Sequence, residues 1–422
     1  MQVRHSFPFL AGLAVAAFAG NVQSAGFQLQ NQTGSGNGNA FAGAAATAED
    51  AGTVFFNPAG MTLLPTGHSF ALAGTLLDRS VKFSNGSTSG LVPAPSASNG
   101  NDGGGTLLIP ALYWSYAIDP SVRIGLGISP TFGNQTDYGF DFIGRYAGYY
   151  TKLRQVNVNP SVAFRLDERW SLGFGLNYAQ NDTEFRQGSP LPSPLANNDV
   201  RVQGDDGAFG YNAGLLFRLQ PQTRLALTYR SEIRFKLDGE LDSNLTPTVD
   251  NRVRARLTTP AQSSFAVAHQ LNDRVELLGD LTWTGWSSVN RLNVIDQGSG
   301  TLLNSLSYRF RDTWRVGLGA NYQWNDAWKL RFGAAWDQTP VRSAADRTMT
   351  LPDANRSWLA VGARYALDKD NSIDIGYAHV FFADANTERA VTSAAGTTVQ
   401  TVRGSFDTRA DLLSVQWNRR FR

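Results

Sequence analysis

Apolar and polar residues alternate one by one along several stretches of the chain, and residues 170–178 show the pattern most clearly. On an extended strand, successive side chains point to opposite faces. One face of this stretch is therefore apolar, and it comprises Trp170, Leu172, Phe174, Leu176 and Tyr178. Residues 314–322, 328–336 and 373–381 repeat the alternation, often with Trp or Tyr near an end of the apolar row. The pattern predicts β-strands with one apolar face, and the aromatic ends are typical of membrane-crossing strands.

The connections between such stretches come in two lengths that alternate along the chain. Short links are predicted at residues 118–121, 166–169, 219–222, 271–273, 323–326 and 368–371. Long polar segments are predicted at residues 84–105, 133–151, 187–202, 242–251, 291–305, 339–356 and 385–408. Transmembrane barrels have short periplasmic turns and longer outer loops, so we predict an all-β fold: an antiparallel transmembrane β-barrel of about fourteen strands. A soluble β-sandwich also alternates, but strand faces so rich in Ser, Asn and Gly would make a poor sandwich core.

The amino-terminal residues have the layout of a secretory signal peptide. Arg4 and His5 precede an apolar run at residues 7–18, and a junction of small residues follows. We predict that residues 1–24 are a signal peptide that is removed after Ser24. A membrane-anchoring helix is the alternative, but it needs about 20 apolar residues and this run is shorter.

A segment of small residues at positions 34–60 follows the predicted signal peptide. A barrel of about eight strands is filled by its own side chains, whereas a barrel of about fourteen is wider. Many inward-facing positions of the predicted strands are glycines, which leave space in the lumen. We therefore predict that residues 25–67 form a plug inside the lumen and that residues 68–422 form the barrel.

Two motifs within the predicted plug suggest how it folds. Asn57 is expected to cap a short helix that begins with Pro58 and Ala59, because proline lacks the N–H that a first helical position leaves unused. The glycine-rich run at residues 34–38 lacks the spacing of a dinucleotide-binding loop, and no strand precedes it. We interpret this run as a flexible hinge in the plug.

The composition excludes several classes of protein. The 422 residues contain no cysteine, carry a formal net charge of only +2 and include four scattered histidines. A disulfide scaffold, a thiolate metal site and a polybasic nucleic-acid-binding arm are therefore excluded. An enzyme that acts on lipids would need a nucleophile and a base placed together, and the sequence indicates no such pair. We expect no catalytic residues, no cofactor, no metal and no nucleic-acid partner.

Four segments of the chain resemble the FadL-type outer-membrane transporters of long-chain fatty acids and other hydrophobic compounds. They are residues 25–61, with the motif Asn57-Pro58-Ala59, and residues 204–235, 310–341 and 351–367. The resemblance implies a plugged fourteen-stranded barrel in the outer membrane of a Gram-negative cell. It also implies that the ligand enters from outside, binds in a hydrophobic pocket against the plug and leaves sideways through a gap in the wall.

Pro130 and Gly133 interrupt a strand pattern that begins at Val122. Proline removes a ladder hydrogen bond and a nearby glycine permits a kink or bulge, so the two residues together could open the wall. The resemblance places a lateral exit at a kink of the third strand, where Gly133 falls. The alternative is that Pro130 merely ends the strand.

Two residues are candidate ligand-binding residues. The resemblance suggests Arg186 as a pocket arginine, because a fatty acid needs apolar walls and one cation for its carboxylate. Arg186 could instead form an ion pair with Glu184. The resemblance also suggests that Phe27 occupies the pocket until ligand displaces it, or else that it only anchors the plug.

The leading functional hypothesis is passive, ligand-gated diffusion of long-chain fatty acids through a monomeric barrel surrounded by outer-membrane lipid. The alternative in the same fold is uptake of aromatic or aliphatic hydrocarbons, which need no cation. A general porin is less consistent with a small-residue plug. The aromatic segment at residues 137–150 is expected either to capture hydrophobic molecules from outside or to fold back as a lid.

Overall fold

The computed structural model describes residues 26–190, 198–243, 251–393 and 396–421, so the predicted signal peptide lies outside the described residues. Nineteen strands of the described chain form one antiparallel sheet that closes on itself where β1 pairs with β19. The strands are β1 (His68–Gly90), β2 (Gly105–Ala117), β3 (Val122–Asp137), β4 (Tyr150–Arg165), β5 (Trp170–Gly188), β6 (Asp199–Gln220), β7 (Thr223–Arg230), β8 (Ile233–Ser243), β9 (Arg252–Thr259), β10 (Gln262–Gln270), β11 (Val275–Thr284), β12 (Arg291–Asp296), β13 (Leu302–Ser307), β14 (Thr313–Gln323), β15 (Trp328–Asp337), β16 (Arg356–Ala366), β17 (Asn371–Phe382), β18 (Ala385–Thr392) and β19 (Thr398–Phe421).

The nineteen strand segments make up fourteen strands of the barrel wall. Five of these wall strands are each broken once into two segments. The continuous pairs are β7 with β8, β9 with β10, β11 with β12, β13 with β14, and β17 with β18, so nineteen segments minus five breaks leave fourteen. The predicted closed barrel and its strand number are confirmed. The bounds of the predicted long polar segments are wrong in part, because strands extend into them, most of all at residues 291–305 and 385–408, where β12, β13, β18 and β19 lie. These extensions lack the apolar row of a lipid-facing strand, so the alternation does not reveal them.

The predicted tight links are confirmed as the turns that follow β2, β4, β6, β10, β14 and β16. In five of them an Asp or Asn side chain accepts hydrogen bonds from the backbone N–H groups two and three residues further on, and a backbone hydrogen bond across the turn helps to close it. These residues are Asp119, Asp167, Asn272, Asn325 and Asp368.

The outer face of the wall is apolar, as the alternation predicts. On β5 the side chains of Phe174 and Leu176 are 50% and 51% exposed, whereas Ser171 and Asn177 between the apolar positions are buried. Among the described residues, no helix is both long and apolar enough to cross a bilayer.

The plug lies inside the barrel and touches strands on opposite sides of it. It comprises helices α1 (Gly34–Asn37), α2 (Ala44–Thr47) and α3 (Thr53–Phe56) and a 3-10 helix (Pro58–Leu63). Helix α1 packs on β16, β17 and β19, α2 on β7 and β10, and the 3-10 helix on β4 and β5.

The glycine-rich run forms helix α1 instead of an irregular hinge. The backbone of α1 comes so close to the wall that a Cβ atom on Gly376 would lie 2.6 Å from the carbonyl oxygen of Gly34. A glycine is therefore needed at position 376, where any side chain would clash with the plug.

Candidate ligand pocket and lateral opening

An aromatic pocket holds Phe27 at the amino-terminal end of the described chain. The Phe27 ring meets Trp286 edge to face with centroids 4.9 Å apart, and it meets Phe132 at 5.8 Å. Phe27 is only 4% exposed. We call its surroundings the Phe27 seat, which consists of Phe132, Trp286, Val289, Phe310, Val341 and Leu351. The seat can hold a large apolar group, and Phe27 fills it in this structure.

The backbone next to Phe27 pairs with β3 as a short strand would. The Leu29 amide donates to the carbonyl oxygen of Thr131 at 2.9 Å, and the Gly133 amide donates to the carbonyl oxygen of Phe27 at 2.8 Å. Gln28 and Phe132 are thereby joined in an antiparallel bridge. Residues 27–29 thus provide the hydrogen bonds that a neighbouring wall strand would otherwise give to this part of β3.

Strand β3 bulges where the sequence predicts an interruption. The register between β3 and β4 shifts by one residue between Pro130 and Phe132. Residues 129–134 are all buried, which breaks the in–out alternation of the rest of β3. Both faces of this part of the strand are therefore covered, as expected if it has turned into the lumen. Pro130 lies inside the strand, so it does not end it.

The ladder between β2 and β3 is missing beside this bulge. Within the described part of both strands, their ladder runs from Ala117 and Arg123 only as far as Leu112 and Ile128. The two chains meet again where the Asp137 amide donates to the carbonyl oxygen of Gly103 at 3.3 Å. Gly103 precedes Leu112 by nine residues, and Asp137 follows Ile128 by nine residues. We call the interval between residues 104–111 and 129–136 the β2–β3 gap. Pro130 and Gly133 both lie on the β3 side of this gap.

An apolar cavity of about 550 Å³ lies among the outer parts of the strands. Its wall includes Phe185, Leu237, Val253, Leu292 and Leu306, and Tyr308 also lines it. Tyr308 packs against the Phe27 seat as well. This outer cavity therefore adjoins the seat, and most of its lining is apolar.

A second cavity, of about 590 Å³, lies between the plug and the wall. Gln30 from the plug and Gln262 from β10 both line it, and Gln28 donates to the side-chain oxygen of Gln262 at 3.0 Å. The segment from Phe27 to Gln30 thus reaches from the seat to this plug cavity. Displacement of the segment would join the two spaces.

Arg230 lines the plug cavity and forms no ion pair among the described residues. Its guanidinium donates to the side-chain oxygen of Asn177 and, at 2.9 Å, to the carbonyl oxygen of Phe55, and it stacks over the Phe55 ring. Arg315, which also lines the cavity, is instead paired with Asp280 at 3.0 Å. Arg230 is therefore a cation whose charge is balanced only by neutral dipoles.

The Asn57-Pro58-Ala59 segment fastens the plug to the wall. The Asn57 side-chain oxygen accepts from the Ala59 amide at 3.0 Å, so Asn57 caps the 3-10 helix with Pro58 at its start. Its amide nitrogen donates to the carbonyl oxygens of Ala45 at 2.9 Å and of Leu215, on β6, at 3.3 Å. One side chain thus joins two parts of the plug to a strand.

A cluster of charged residues holds the other end of the plug. Glu49 lies 2.6 Å from Arg331, 3.0 Å from Lys329 and 3.2 Å from Arg364. Arg331 is fully buried and also pairs with Asp374 at 2.7 Å. We call these five residues the plug clamp. Burial opposes ionisation of Glu49, but the three surrounding cations outweigh it and hold the pKa of Glu49 well below its usual range.

The sequence of residues 15–421 matches the family described as outer membrane protein transport protein (OMPP1/FadL/TodX). The chain belongs to this family. It is 31% identical over 402 residues to the long-chain fatty acid transport protein of Salmonella typhi, which covers 87% of this chain and 90% of that protein. The FadL-type chain is thus an outer-membrane protein, as predicted.

Solved structures show the same fold. A FadL homologue from Pseudomonas aeruginosa superposes with a TM-score of 0.85 at 24% identity, over 94% of this chain and 100% of that one. The toluene transporter TbuX of Ralstonia pickettii superposes with a TM-score of 0.68 at 20% identity, over 93% of this chain and 99% of that one.

In this FadL-type chain the structure does not bring Arg186 to either cavity. Arg186 follows Phe185 in β5 and so points to the opposite face of the strand from the ring that lines the outer cavity. Its guanidinium pairs with Glu184 at 2.7 Å and stacks over Tyr150. The ion-pair alternative therefore describes Arg186, whereas Arg230 lines the plug cavity without an ionic partner among the described residues.

The aromatic segment at residues 137–150 folds inward. Tyr138, Phe142 and Tyr149 are buried in a cluster with Val81 and Phe406, near the outer ends of β1 and β19. Rings that are covered in this way are unavailable at the outer surface, which favours the lid over the capture site.

Sequence reasoning missed Arg230 and Trp286. Both lie next to interruptions of strands, Arg230 at the break between β7 and β8 and Trp286 just after β11. A polar or bulky residue at such a break was the available signal, but a break alone does not show which way a side chain points.

Proposed function

We propose that this protein is a passive outer-membrane transporter of long-chain fatty acids and that it catalyses no reaction. The observation that carries the proposal is Arg230, a lumenal cation without an ionic partner among the described residues, beside a cavity of about 590 Å³. Keeping an unpaired charge away from water is costly unless a counterion binds. A fatty acid supplies one carboxylate for Arg230 and an apolar chain for the neighbouring surfaces.

The proposed route begins in the outer cavity and passes the Phe27 seat. An acyl chain that enters the seat displaces Phe27, and the attached segment then releases the hydrogen bonds at Thr131 and Gly133. The seat and the plug cavity become continuous, so the carboxylate reaches Arg230. The fatty acid then leaves through the β2–β3 gap beside Pro130 and Gly133 and enters the membrane.

Several further features belong to the same proposal. Residues 1–24 are removed as a signal peptide, residues 25–67 act as the plug, and residues 68–422 form the barrel that contacts outer-membrane lipid. The protein works as a monomer, because the pairing of β1 with β19 leaves no terminal strand edge for a partner.

Uptake of neutral hydrocarbons is the alternative, and it gives Arg230 no role. The deciding measurement uses the purified protein in neutral detergent with radiolabelled oleate. We expect unlabelled oleate to displace the label at least tenfold more effectively than hexadecane does, because a hydrogen bond between charged groups contributes about 1.5–3 kcal/mol. Equal displacement by the two compounds would contradict fatty-acid specificity.

A matched pair of variants assigns that preference to one residue. Arg230→Gln should weaken oleate binding about tenfold and leave hexadecane binding unchanged. Arg224→Gln is the control, because Arg224 lies on the same strand but already pairs with Glu276 at 2.7 Å. An equal loss of oleate binding in both variants would show that Arg230 has no specific role.

Deletion of residues 25–30 tests the gate. The deletion should lower oleate uptake by cells without preventing barrel assembly, because the barrel closes through strands alone. Normal uptake by the deletion variant would refute a gating role for Phe27.

A further inference from the structure

A buried arginine spans the outer rim of the β2–β3 gap. Arg79 lies on β1 opposite Gly105, the first residue of β2, and its side chain points into the barrel between Leu77 and Val81. One nitrogen, Nη2, donates to the carbonyl oxygen of Gln135 and to the Thr136 hydroxyl at 3.3 Å. Arg79 therefore reaches from β1 across to β3 where the ladder between β2 and β3 is missing.

The guanidinium of Arg79 has no directly paired carboxylate among the described residues, and Asp102 and Asp353 act on its charge only at longer range. Its side chain is 3% exposed and forms no ion pair there. The Nε and Nη1 atoms have no hydrogen-bond partner, so three N–H groups of the guanidinium are unused. Asp102 lies nearby but is engaged by Ser80 and by backbone amides. An unpaired, buried cation with unused donors is a site suited to an anion.

The position of Arg79 suits the head of an amphiphile that leaves sideways. Below the rim, Leu107 and Ile109 of β2 face inward along one side of the gap, and they are 6% and 2% exposed. Phe132 lies on the other side, on β3. A molecule that passes here meets apolar walls beneath a single cation. A fatty acid in the outer leaflet holds its carboxylate at the level of the headgroups and its chain below them. The gap has the same arrangement, with the cation at the rim and the apolar walls beneath it.

We propose that Arg79 is a second anion-binding site that takes the carboxylate of the fatty acid during its exit through the β2–β3 gap. The inference rests on the proposed function and adds a step to it. The carboxylate passes from Arg230 to Arg79 and is never left in the gap without a cation. Charged cargo therefore crosses the wall faster than it would past apolar residues alone.

The test compares two molecules with the same chain, oleate and oleyl alcohol. Initial uptake rates are measured in cells that lack another fatty-acid transporter and express the full-length protein. Arg79→Gln should lower the oleate rate about tenfold and leave the oleyl alcohol rate unchanged, because only the carboxylate uses the charge. Arg79→Lys keeps the charge and should retain most of the oleate rate.

Arg123→Gln is the matched control. Arg123 is equally buried, at 3%, and it too has an unused Nε, but it lies at the opposite end of β3. This variant should change neither rate. An equal loss of both rates in Arg79→Gln would mean that Arg79 only holds β3 in place, and unchanged rates would also overturn the proposal.

A measurement on the unaltered protein covers the case in which Arg79→Gln does not assemble. Palmitate with a photoreactive diazirine next to its carboxylate should cross-link to residues 103–105 or 135–137 in neutral detergent without lipid. Cross-links confined to other parts of the barrel would contradict the proposal. If the unaltered protein takes up no oleate at all, the proposed function is wrong. If it takes up oleate and Arg79→Gln does not change the uptake rate, only this further inference is wrong.

Discussion

The backbone amide of Gly133 donates a hydrogen bond to the carbonyl oxygen of Phe27 at 2.8 Å. This bond joins the residue that fills the aromatic pocket to the bulged part of β3, where the ladder with β2 is missing. Whatever moves Phe27 must therefore also alter the hydrogen bonding of β3. Backbone hydrogen bonds thus couple the occupancy of the Phe27 seat directly to the conformation of β3 at the β2–β3 gap. No long chain of intermediate residues is needed.

Phe27→Ala should make the protein bind oleate more tightly. In the unaltered protein the ligand must displace a buried Phe side chain, and burying such a side chain is worth roughly 1.5–3 kcal/mol. Without that competitor, the dissociation constant measured by calorimetry in neutral detergent should fall about tenfold. Phe217→Ala, which removes a ring stacked on Trp170, is the control and should have no effect. Weaker binding in Phe27→Ala would instead make Phe27 a contact of the ligand.

Engineered cysteines should report the β2–β3 gap directly, because the chain has no cysteine of its own. Ala111 and Ser129 would face each other if the ladder continued, but they lie beyond its last pair. A disulfide forms only when the Cα atoms are within about 7 Å. Cysteines at 111 and 129 should therefore fail to oxidise, whereas cysteines at Tyr116 and Ile124, a true pair in the ladder, should form a disulfide.

The same cysteine pairs connect the gap to transport. Joining positions 111 and 129 with a short bifunctional reagent should lower oleate uptake, since the exit can no longer widen. The disulfide between positions 116 and 124 should leave uptake unchanged. Rapid oxidation of the 111/129 pair would show that the wall is closed there.

Glu49→Gln should loosen the plug. The change removes the carboxylate that pairs with all three cations of the plug clamp and leaves only Asp374 and, 3.4 Å from Arg364, Asp50 opposite them among the described residues. Breaking a buried ion pair costs about 3–5 kcal/mol. We expect a raised ion conductance in planar bilayers and a lower temperature of barrel unfolding. Asp370→Asn is the control, because Asp370 is half exposed and 3.9 Å from its partner Lys369.

Acid should release the plug in the unaltered protein. The pKa of Glu49 is held well below its usual value of 4.5 in the folded protein, so the clamp stabilises the plug fully above pH 4.5 and loses this stabilisation as the pH falls through the folded pKa. Conductance should therefore stay low from neutral pH down to about pH 4.5 and rise below it. Glu49→Gln should lack this rise. A rise of the same size in the variant would assign the effect to other groups.

Asn57→Asp should open the plug further than Asn57→Ala does. Both variants lose the bonds that Asn57 donates to the carbonyl oxygens of Ala45 and Leu215, and each unsatisfied buried group costs about 1–3 kcal/mol. Aspartate keeps the helix cap at Ala59 but places a negative charge against those oxygens. Bilayer conductance should rise in the order unaltered, Asn57→Ala, Asn57→Asp. The reverse order would indicate that the cap matters more than the bonds to the wall.

The wall of the barrel could be predicted because its rules are local. Each lipid-facing strand alternates one by one, and five of the six tight turns carry an Asp or Asn whose side chain accepts hydrogen bonds across the turn, as Asp167 does after β4. The extensions β12 and β13 were missed because nothing outside the membrane requires one of their faces to be apolar.

The pocket could be predicted only in part. Pro130 and Gly133 were recognisable as an interruption, since both residue types disturb a ladder wherever they occur. Arg186 was chosen instead of Arg230 because sequence does not show which charges find partners. A shift of one residue along a strand also moves a side chain to the other face.

The sequence by itself determined that this chain is a membrane barrel with a plug of small residues, because alternation, turn chemistry and residue size act between neighbours along the chain. Only the tertiary structure decided that Phe27 meets Gly133, that Arg79 reaches Thr136, and that Arg230 has no ionic partner among the described residues. These relationships arise when the cylinder closes and the plug folds back into it, which brings together residues far apart in the chain. Their geometry depends on how every intervening strand is paired.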